Sequence, residues 1–134
     1  SVEKSKEILR QKNKDLSDYL KSLPQIGPFG EKVLSNSDET VIVNKNITGL
    51  EPAEYAESHD NYVDIFIVQA GREELFIGGE IKDKETVSAG EWRGKDLSGA
   101  RKYDIEAGDI IIIPKGVAHQ HGRGAVKMTI IKTS

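Results

Sequence analysis

Three histidines and the carboxylates near them are the side chains of this sequence best suited to hold a metal ion. His59 follows Glu57 by two positions and precedes Asp64 by five, and His119 precedes His121 by two. Residues two apart on a β-strand share a face, so each closely spaced pair would point the same way. Imidazole nitrogens with carboxylate oxygens suit divalent Mn, Fe, Ni or Zn, and the carboxylates favour Mn or Fe over Cu.

The composition limits the other kinds of chemistry. The sequence has no cysteine, which excludes thiolate ligands, a cysteine nucleophile and disulfide bonds. Its 134 residues, 37% hydrophobic and 31% charged, are typical of one globular domain. Lys and Arg number 19 against 22 Asp and Glu, so no nucleic-acid partner is expected. No apolar run approaches the roughly 18 residues that cross a membrane, and the compartment stays open because a cleaved leader could precede Ser1.

The first 30 residues have a pattern of their own. Apolar side chains recur there at roughly helical spacing, at Ile8, Leu9, Leu16, Tyr19, Leu20 and Leu23. Pro24 would end the helix, and a turn around Gly27 would lead out of it. We therefore predict a short N-terminal helical extension over residues 1–30 and a β-barrel over residues 31–134.

Beyond this extension, apolar residues occur in short extended runs separated by turn residues. The predicted strands cover residues 41–43, 64–68, 74–77, 110–113 and 127–132. Turns are predicted at Ala70-Gly71 and at Gly122–Gly124, because glycine commonly separates strands. Many short strands without a long intervening helix indicate an all-β sandwich or barrel.

Residues 82–100 interrupt this pattern, since they carry few apolar side chains and suggest no regular element. Such a long segment in a compact domain is usually functional or disordered. We predict that it borders the pocket and helps to close it. Within it, Trp92 is expected to anchor the segment. Glu91 and Arg93 are expected to form an ion pair at the surface, and the alternative is a lid that meets an acidic substrate.

Two spaced motifs resemble the signatures of the cupin superfamily. The second cupin motif, G-D-x4-P-x-G-x2-H, is matched at all fixed positions by Gly108, Asp109, Pro114, Gly116 and His119. The first is matched in an altered form, with Glu57 and His59 at the two histidine positions, Asp64 at the glutamate position and Gly71 at the glycine position. The altered first motif, E-x-H-x4-D, and the G-E-x-R-G segment over Gly90–Gly94 resemble those of one branch of single-domain cupins. That branch is similar to the cupin module of plant DNA-damage-toleration proteins.

The resemblance implies a jelly-roll barrel with a divalent metal in its mouth. The ligands that it implies are Glu57, His59, Asp64 and His119. Asp64 could instead orient a histidine, and Glu57 could face solvent or act as a general base. Tyr62 is the second candidate catalytic residue, as a donor of a proton or a hydrogen bond. The pocket wall is expected to include His121, Phe66 and Val68.

The resemblance also sets the range of functions. Cupins include isomerases, dioxygenases and lyases as well as simple binding proteins, so a metal-dependent enzyme acting on a small polar molecule is the leading hypothesis. The alternative is a non-catalytic module that binds a sugar or an organic acid. A third possibility is a scaffold whose metal site has decayed. Small cupins commonly pair, so a homodimer is expected.

Overall fold

A computed structural model of the protein describes residues 29–49 and 51–134. The predicted helical extension lies almost wholly outside these residues, so the extension and the boundary after residue 30 stay predictions. All eleven elements in the described part are β-strands. No helix among the described residues is long and apolar enough to cross a membrane. The all-β prediction is confirmed.

The strands vary widely in length, and the two longest are β4 and β11. In chain order the strands are β1 (Gly30–Asn36), β2 (Thr40–Gly49), β3 (Ala56–His59), β4 (Val63–Ile77), β5 (Glu80–Ile81), β6 (Glu85–Ser88), β7 (Glu91–Gly94), β8 (Leu97–Ser98), β9 (Arg101–Glu106), β10 (Ile110–Ile113) and β11 (His119–Thr133).

Strands β4 and β11 form the centre of the barrel and pair antiparallel along their whole lengths. On its other edge, β11 pairs with β2 and, at His119, with β3. The other edge of β4 pairs with β9 and β10. Strand β3 is followed across the sheet by β7 and β6, β1 flanks β2, and β5 pairs with β8 in a separate ribbon. This order places β3 between the start of β11 and β7.

The core follows from strand alternation on the two central strands. Phe66 and Val68 on β4 are buried, as are Val126, Met128 and Ile130 on β11. They belong to one hydrophobic cluster, because alternate residues of a strand point to the same side of its sheet. The same alternation therefore decides which residues at the end of each strand point into the barrel.

Two β-bulges occur where the sequence suggested turns. The pairing of β4 with β11 shifts register between Lys127 and Met128, and again between His121 and Gly124. The residues at Ala70-Gly71 and beside Gly124 therefore bend continuous strands rather than end them. The prediction of turns at these places is wrong, because glycine permits a bulge as readily as a turn.

The bulge in β11 has a consequence for the site. An extra residue in one strand reverses which alternate positions face inward. His119 before the bulge and Met128 after it are consequently both buried, although one position is odd and the other even. Gly124 has a φ of 140°, and a Cβ there would lie 2.4 Å from the Arg72 carbonyl oxygen. Only glycine fits this bend without moving the neighbouring strand.

The segment over residues 82–100 has more regular structure than the sequence indicated. It contains β6, β7 and β8, and β7 pairs with β3 so that Glu91 lies opposite His59. Trp92 donates a hydrogen bond of 2.8 Å from its indole Nε1 to Asp60. The expectation of an irregular segment is therefore wrong, because cross-strand pairing and not apolar content orders it.

Candidate metal centre

Three strands bring the proposed ligands together at one end of the barrel. Glu57 and His59 lie on β3, Asp64 on β4 and His119 at the first position of β11. Glu57 and His119 are paired across the neighbouring strands. Asp64 and His119 are each 1% exposed and His59 is 7% exposed, so the cluster is removed from bulk water.

The donor atoms of these four side chains approach one another closely. Oδ2 of Asp64 lies 3.1 Å from Nε2 of His59 and 3.5 Å from Nε2 of His119. Oε1 of Glu57 lies 3.3 Å from Nε2 of His119 and 3.9 Å from Nε2 of His59. Ligand atoms of Glu57, His59 and His119 all fall within 4.8 Å of one another. The cluster could hold a divalent ion.

These distances match the spacing that a small divalent ion imposes on its ligands. Metal–ligand bonds of about 2.0–2.2 Å in a tetrahedron place neighbouring ligand atoms about 3.3–3.6 Å apart. Oδ1 of Asp64 and both ring nitrogens of His119 are buried and lack a hydrogen-bond partner. Buried polar atoms normally have partners, so the donor set fits an ion that would satisfy them.

The electrostatics keep both carboxylates in their ionised, ligand-competent form. Burial raises the pKa of Glu57, but the His119 imidazole 3.3 Å away and the charges of His119, His59 and Lys132 outweigh burial and bring the pKa well below its usual value. The pKa of Asp64 is lowered in the same way, because the hydrogen bond from His59 and the charge of Lys132 exceed the effect of burial. Both groups are therefore charged at neutral pH.

His59 is held from its far side by Glu91, a residue that the sequence analysis did not assign to the site. Nδ1 of His59 donates a hydrogen bond to Oε2 of Glu91. This arrangement leaves Nε2 directed at Asp64 and His119. Burial lowers the pKa of His59, but the hydrogen bonds to Asp64 and Glu91 outweigh it, so that the pKa is raised.

Glu91 does not form the surface ion pair with Arg93 that the sequence suggested. Its second oxygen accepts a hydrogen bond from the Tyr62 hydroxyl, while the guanidinium of Arg93 lies 4.3 Å from the ring centroid of Tyr55. The expectation was wrong because residues two apart on β7 share a face but need not contact each other. The pairing of β7 with β3 was the missing information.

Tyr62 is closely engaged by the same carboxylate. The hydrogen bond to Glu91 and, secondarily, burial raise the pKa of Tyr62 to about 12. Its ring centroid lies 5.2 Å from that of His59. Tyr62 is thus a neutral hydrogen-bond donor, and its proton is held by Glu91 rather than directed at the four proposed ligands.

Lys132 is the second site residue that sequence reasoning missed. Its Nζ lies 3.5 Å from Nε2 of His59 and 3.7 Å from Oδ1 of Asp64. Strand alternation carried a signal for it, because Lys132 continues the buried row of Met128 and Ile130 on β11. A lysine that follows buried apolar residues in the same alternating series indicates a polar site at that end of the barrel.

The predicted pocket residues take up different places. His121 donates a 2.8 Å hydrogen bond from Nδ1 to Glu73, and its ring stacks on Phe66 with 5.4 Å between centroids. Phe66 also meets His119 edge-on at 5.8 Å, so it forms the floor beneath this ligand. Val68 belongs to the buried core cluster.

Two cavities reach the cluster, and Glu57 borders both. One of about 240 Å³ is lined by Glu57, His59, Val87, Ser88, Glu91, Trp92, Arg93 and Lys132. The other, of about 330 Å³, contacts the site through Glu57, His119 and His121. The residues of β6 and β7 in the first lining agree with the expectation that residues 82–100 border the pocket.

Comparison with known proteins identifies the fold. No protein-family model and no curated protein matches the sequence. A solved cupin-2 domain-containing protein from Shewanella frigidimarina is similar with a TM-score of 0.50 and 18% identity, over 89% of this chain and 92% of that chain. A Klebsiella pneumoniae protein with a double-stranded β-helix domain is similar with a TM-score of 0.55 and 17% identity, over 83% and 81%.

The DMSP lyase DddQ from Ruegeria pomeroyi is also similar, with a TM-score of 0.52 and 15% identity, over 79% of this chain and 47% of the lyase. At these identities the likeness shows the fold alone. The chain has the cupin fold, a jelly-roll or double-stranded β-helix barrel, as its two motifs predicted. Which branch of the superfamily it resembles most closely stays a prediction.

Proposed function

We propose that this protein is a metal-dependent enzyme with the cupin fold, acting on a small polar molecule at the mouth of the barrel. The observation that carries the proposal is the approach of carboxylate oxygens of Glu57 and Asp64 to Nε2 of His59 and of His119, at 3.1–3.9 Å. A cluster this buried and this rich in unpaired polar atoms is costly unless a cation or a proton joins it.

The donor set supports Mn, Fe, Ni or Zn as the metal, with carboxylates favouring Mn or Fe over Cu. A bound divalent ion supplies Lewis acidity, which polarises a carbonyl or lowers the pKa of water. His59 and His119 would hold it together with Asp64, whose Oδ2 is near both imidazoles. Glu91 would fix the ring of His59.

Glu57 has a role that follows from its position. It borders both cavities and its side chain is 23% exposed, more than Asp64 or the two proposed histidine ligands. Its carboxylate is therefore the group best placed to accept a proton from a bound molecule at Oε1 or Oε2, as a weak base because its pKa is lowered, or else to complete the ligand set. An isomerase, dioxygenase or lyase could each use a base in this position.

A non-catalytic binding module is the second candidate, and one observation favours it. The proton of Tyr62 is held by Glu91 and its pKa is raised to about 12, which removes the proposed proton donor. A site with a single candidate base suits retention of a sugar or an organic acid as well as catalysis. The resemblance to a lyase supports the enzymatic reading through the shared fold.

Metal analysis tests the proposal. Protein purified without added metal is expected to contain about one equivalent of divalent metal, and chelation should lower its melting temperature. Mn, Fe, Ni and Zn are then added back singly, and turnover is sought with small carboxylates and sugars. Bound metal with turnover supports the enzyme, and ligand binding without turnover supports the binding module. Protein that holds no metal and is stabilised by none contradicts the metal-dependent enzyme and leaves the binding module.

The homodimer remains a separate proposal. Sedimentation at micromolar concentration should give a particle of twice the mass of the chain, which is 14.8 kDa. A monomer at that concentration would remove dimerisation from the description without affecting the site.

A further inference from the structure

The two cavities that reach the proposed metal centre differ in size and lining. The larger, of about 330 Å³, is bordered by Phe29 and Tyr55 and reaches the centre at His119, and we call it the aromatic cavity. The smaller, of about 240 Å³, is bordered by Lys132 and reaches the centre at His59, and we call it the lysine cavity. A bound molecule could approach the proposed ligands from either side.

The lysine cavity is obstructed near the centre by its own lysine. Nζ of Lys132 lies 3.5 Å from Nε2 of His59 and 3.7 Å from Oδ1 of Asp64. The ammonium group takes up the space beside His59 on this side, and it has no lone pair with which to bind an ion. Glu91, in the same lining, is engaged on one oxygen by His59 and on the other by Tyr62. The polar groups nearest the centre on this side therefore hold one another.

The aromatic cavity reaches groups that are not held in this way. Both ring nitrogens of His119 are buried and lack a hydrogen-bond partner. Oε1 of Glu57 lies 3.3 Å from Nε2 of His119, and the side chain of Glu57 is 23% exposed. The carboxylate of Glu57 is therefore a part of the centre that a molecule in this cavity can touch, with the unpartnered imidazole next to it.

The rest of this lining includes apolar side chains that are open to a ligand. Phe29 is 67% exposed and Tyr55 is 41% exposed, and both border the cavity together with Ile47. The guanidinium of Arg93 lies 4.3 Å from the ring centroid of Tyr55, so a cation supports this ring. Small-molecule pockets are mostly apolar and aromatic with a few polar groups, and their volumes are roughly 300–1,000 Å³. The aromatic cavity has this character and falls at the lower end of this range.

The charges around the aromatic cavity disfavour an anion as its occupant. Among the described residues its lining contains three carboxylates, those of Glu51, Glu54 and Glu57, and one ammonium group, that of Lys45. Nζ of Lys45 lies 3.6 Å from Glu31, so a fourth carboxylate shares its charge. An anionic ligand would be repelled by this balance, and a cationic one would be repelled by a divalent ion at the centre. An uncharged apolar body meets neither repulsion.

We propose that the substrate of this site is a small molecule with a polar end and an uncharged apolar body, and that it lies in the aromatic cavity. Its polar end is directed at Glu57 and His119, and its apolar body packs against Phe29 and Tyr55. The inference rests on the proposed function, because it presumes a metal at His59 and His119. It narrows the substrate class and assigns Phe29 and Tyr55 as the residues that select it.

The test compares two neutral probes on Co²⁺-loaded protein at mildly alkaline pH. Imidazole offers one nitrogen to a metal ion, and phenylimidazole carries an apolar ring on the same donor. Both should shift the d–d absorption bands of the bound Co²⁺. Phenylimidazole should bind more tightly than imidazole by about tenfold or more, because its ring leaves water for the apolar lining. The affinities of the two probes for aqueous Co²⁺ supply the reference for this preference.

Substitution of the aromatic lining supplies the second arm. Phe29→Ala combined with Tyr55→Ala should remove the preference for phenylimidazole while imidazole still binds, and each single variant should lose part of the preference. Both residues are exposed, so the fold should tolerate their loss. Val87→Ala is the matched control, because Val87 is an exposed apolar residue of the lysine cavity, and this variant should retain the preference. The melting temperature of each variant monitors its fold.

The outcomes separate the inference from the proposed function. Bands that neither probe shifts, equal affinities for the two probes, or a preference that survives the loss of both aromatic side chains overturns the inference while the metal site stands. A preference that is lost in Val87→Ala alone does so too, because it places the ligand in the lysine cavity. Failure of Co²⁺, Mn²⁺, Fe²⁺, Ni²⁺ and Zn²⁺ alike to bind overturns both.

Discussion

Two buried clusters of histidine and carboxylate lie in the same barrel, and they differ in what they can do. In one, His59 and His119 meet Glu57 and Asp64 at the barrel mouth. In the other, His121 pairs with Glu73, whose side chain is fully buried. Both contain the residue types of a metal site, and their histidines lie only two positions apart on β11.

The two clusters differ in whether several possible ligand atoms are directed at one point. The hydrogen bond of His121 to Glu73 uses one imidazole nitrogen, and its ring is stacked on Phe66. Within the described part of the chain, the group of possible ligands that falls inside 4.8 Å contains Glu57, His59 and His119. Neither His121 nor Asp64 is in that group, but Oδ2 of Asp64 lies within 3.5 Å of both imidazoles. A histidine–carboxylate pair alone is therefore a structural contact, and a metal site needs several unpaired donor atoms directed at one point.

The sharpest test of this comparison replaces the two histidines of β11 one at a time. His119→Ala should abolish stoichiometric metal, because it removes a donor whose nitrogens have no other partner. His121→Ala should retain the metal, since its imidazole is committed to Glu73. Metal content of the two purified variants is compared with that of the unchanged protein. Full metal content in His119→Ala would show that the site has been placed wrongly.

The two buried carboxylates offer the next test. Asp64→Asn leaves the shape nearly unchanged but removes the charge that faces both imidazoles, so metal affinity should fall by more than the roughly 10–100-fold seen when an outer partner of a ligand is lost. Glu73→Gln is the matched change in the other cluster and should leave metal affinity as it was. Competition with a metal chelator gives both values. Equal losses of metal affinity in the two variants would mean that the burial of a carboxylate, and not its direction towards the histidines, governs metal binding.

A smaller effect is expected where Glu91 supports His59. Glu91→Gln can still accept the hydrogen bond from Nδ1, but it lacks the charge that raises the basicity of the ring, so affinity should fall about 10–100-fold or less. A Co²⁺ absorption spectrum distinguishes a weakened site from an unfolded one, because the d–d bands should persist at saturation. Glu91→Asp should bind at an intermediate strength. An unchanged affinity in Glu91→Gln would make the contact merely structural.

The comparison also shows how far sequence reasoning reaches. The run of apolar residues predicted the strand over Ile110–Ile113, and the second motif predicted a site residue at His119 on a further strand; the structure contains both strands. The cupin motifs also brought together Glu57 and Asp64 from different strands. These features follow from local residue patterns or from the spacing of the family motifs, so they can be predicted from the sequence alone.

What the sequence could not predict depends on pairing between distant strands. Glu91 is opposite His59 only because β7 pairs with β3 across 32 positions of the chain. Lys132 reaches the mouth because the bulges in β4 and β11 set the inward row. The sequence around Gly122 and Gly124 suggested a turn, because glycine tolerates the positive φ that occurs in both turns and bulges. The register of strand pairing, and not the composition, decides whether such a glycine lies in a turn or in a bulge.

The smallest effect that we expect is a difference in how the melting temperatures of metal-depleted and metal-loaded protein change with pH. In metal-depleted protein the pKa of His59 is raised by Asp64 and Glu91 against the effect of burial, so its contribution to stability is complete below about pH 6.5 and is lost as pH rises through the raised pKa. The lowered pKa values of Asp64 and Glu57 act on the acid side, where stability is lost as pH falls below about 4. The melting temperature of the depleted protein should therefore be highest between these limits and decline above them.

With metal bound, the slope on the alkaline side should reverse. The ion takes the place of the proton on His59, so metal binding strengthens as pH rises, and with it the stabilisation that the metal confers. Melting curves of depleted and loaded protein between pH 5 and 9 (our suggested range, roughly two units either side of neutral) should consequently diverge as pH increases. His59→Gln, which cannot titrate in this range, should flatten the decline of the depleted protein. Parallel curves for the two forms would mean that proton and metal do not compete for His59, and that the ion binds without this imidazole.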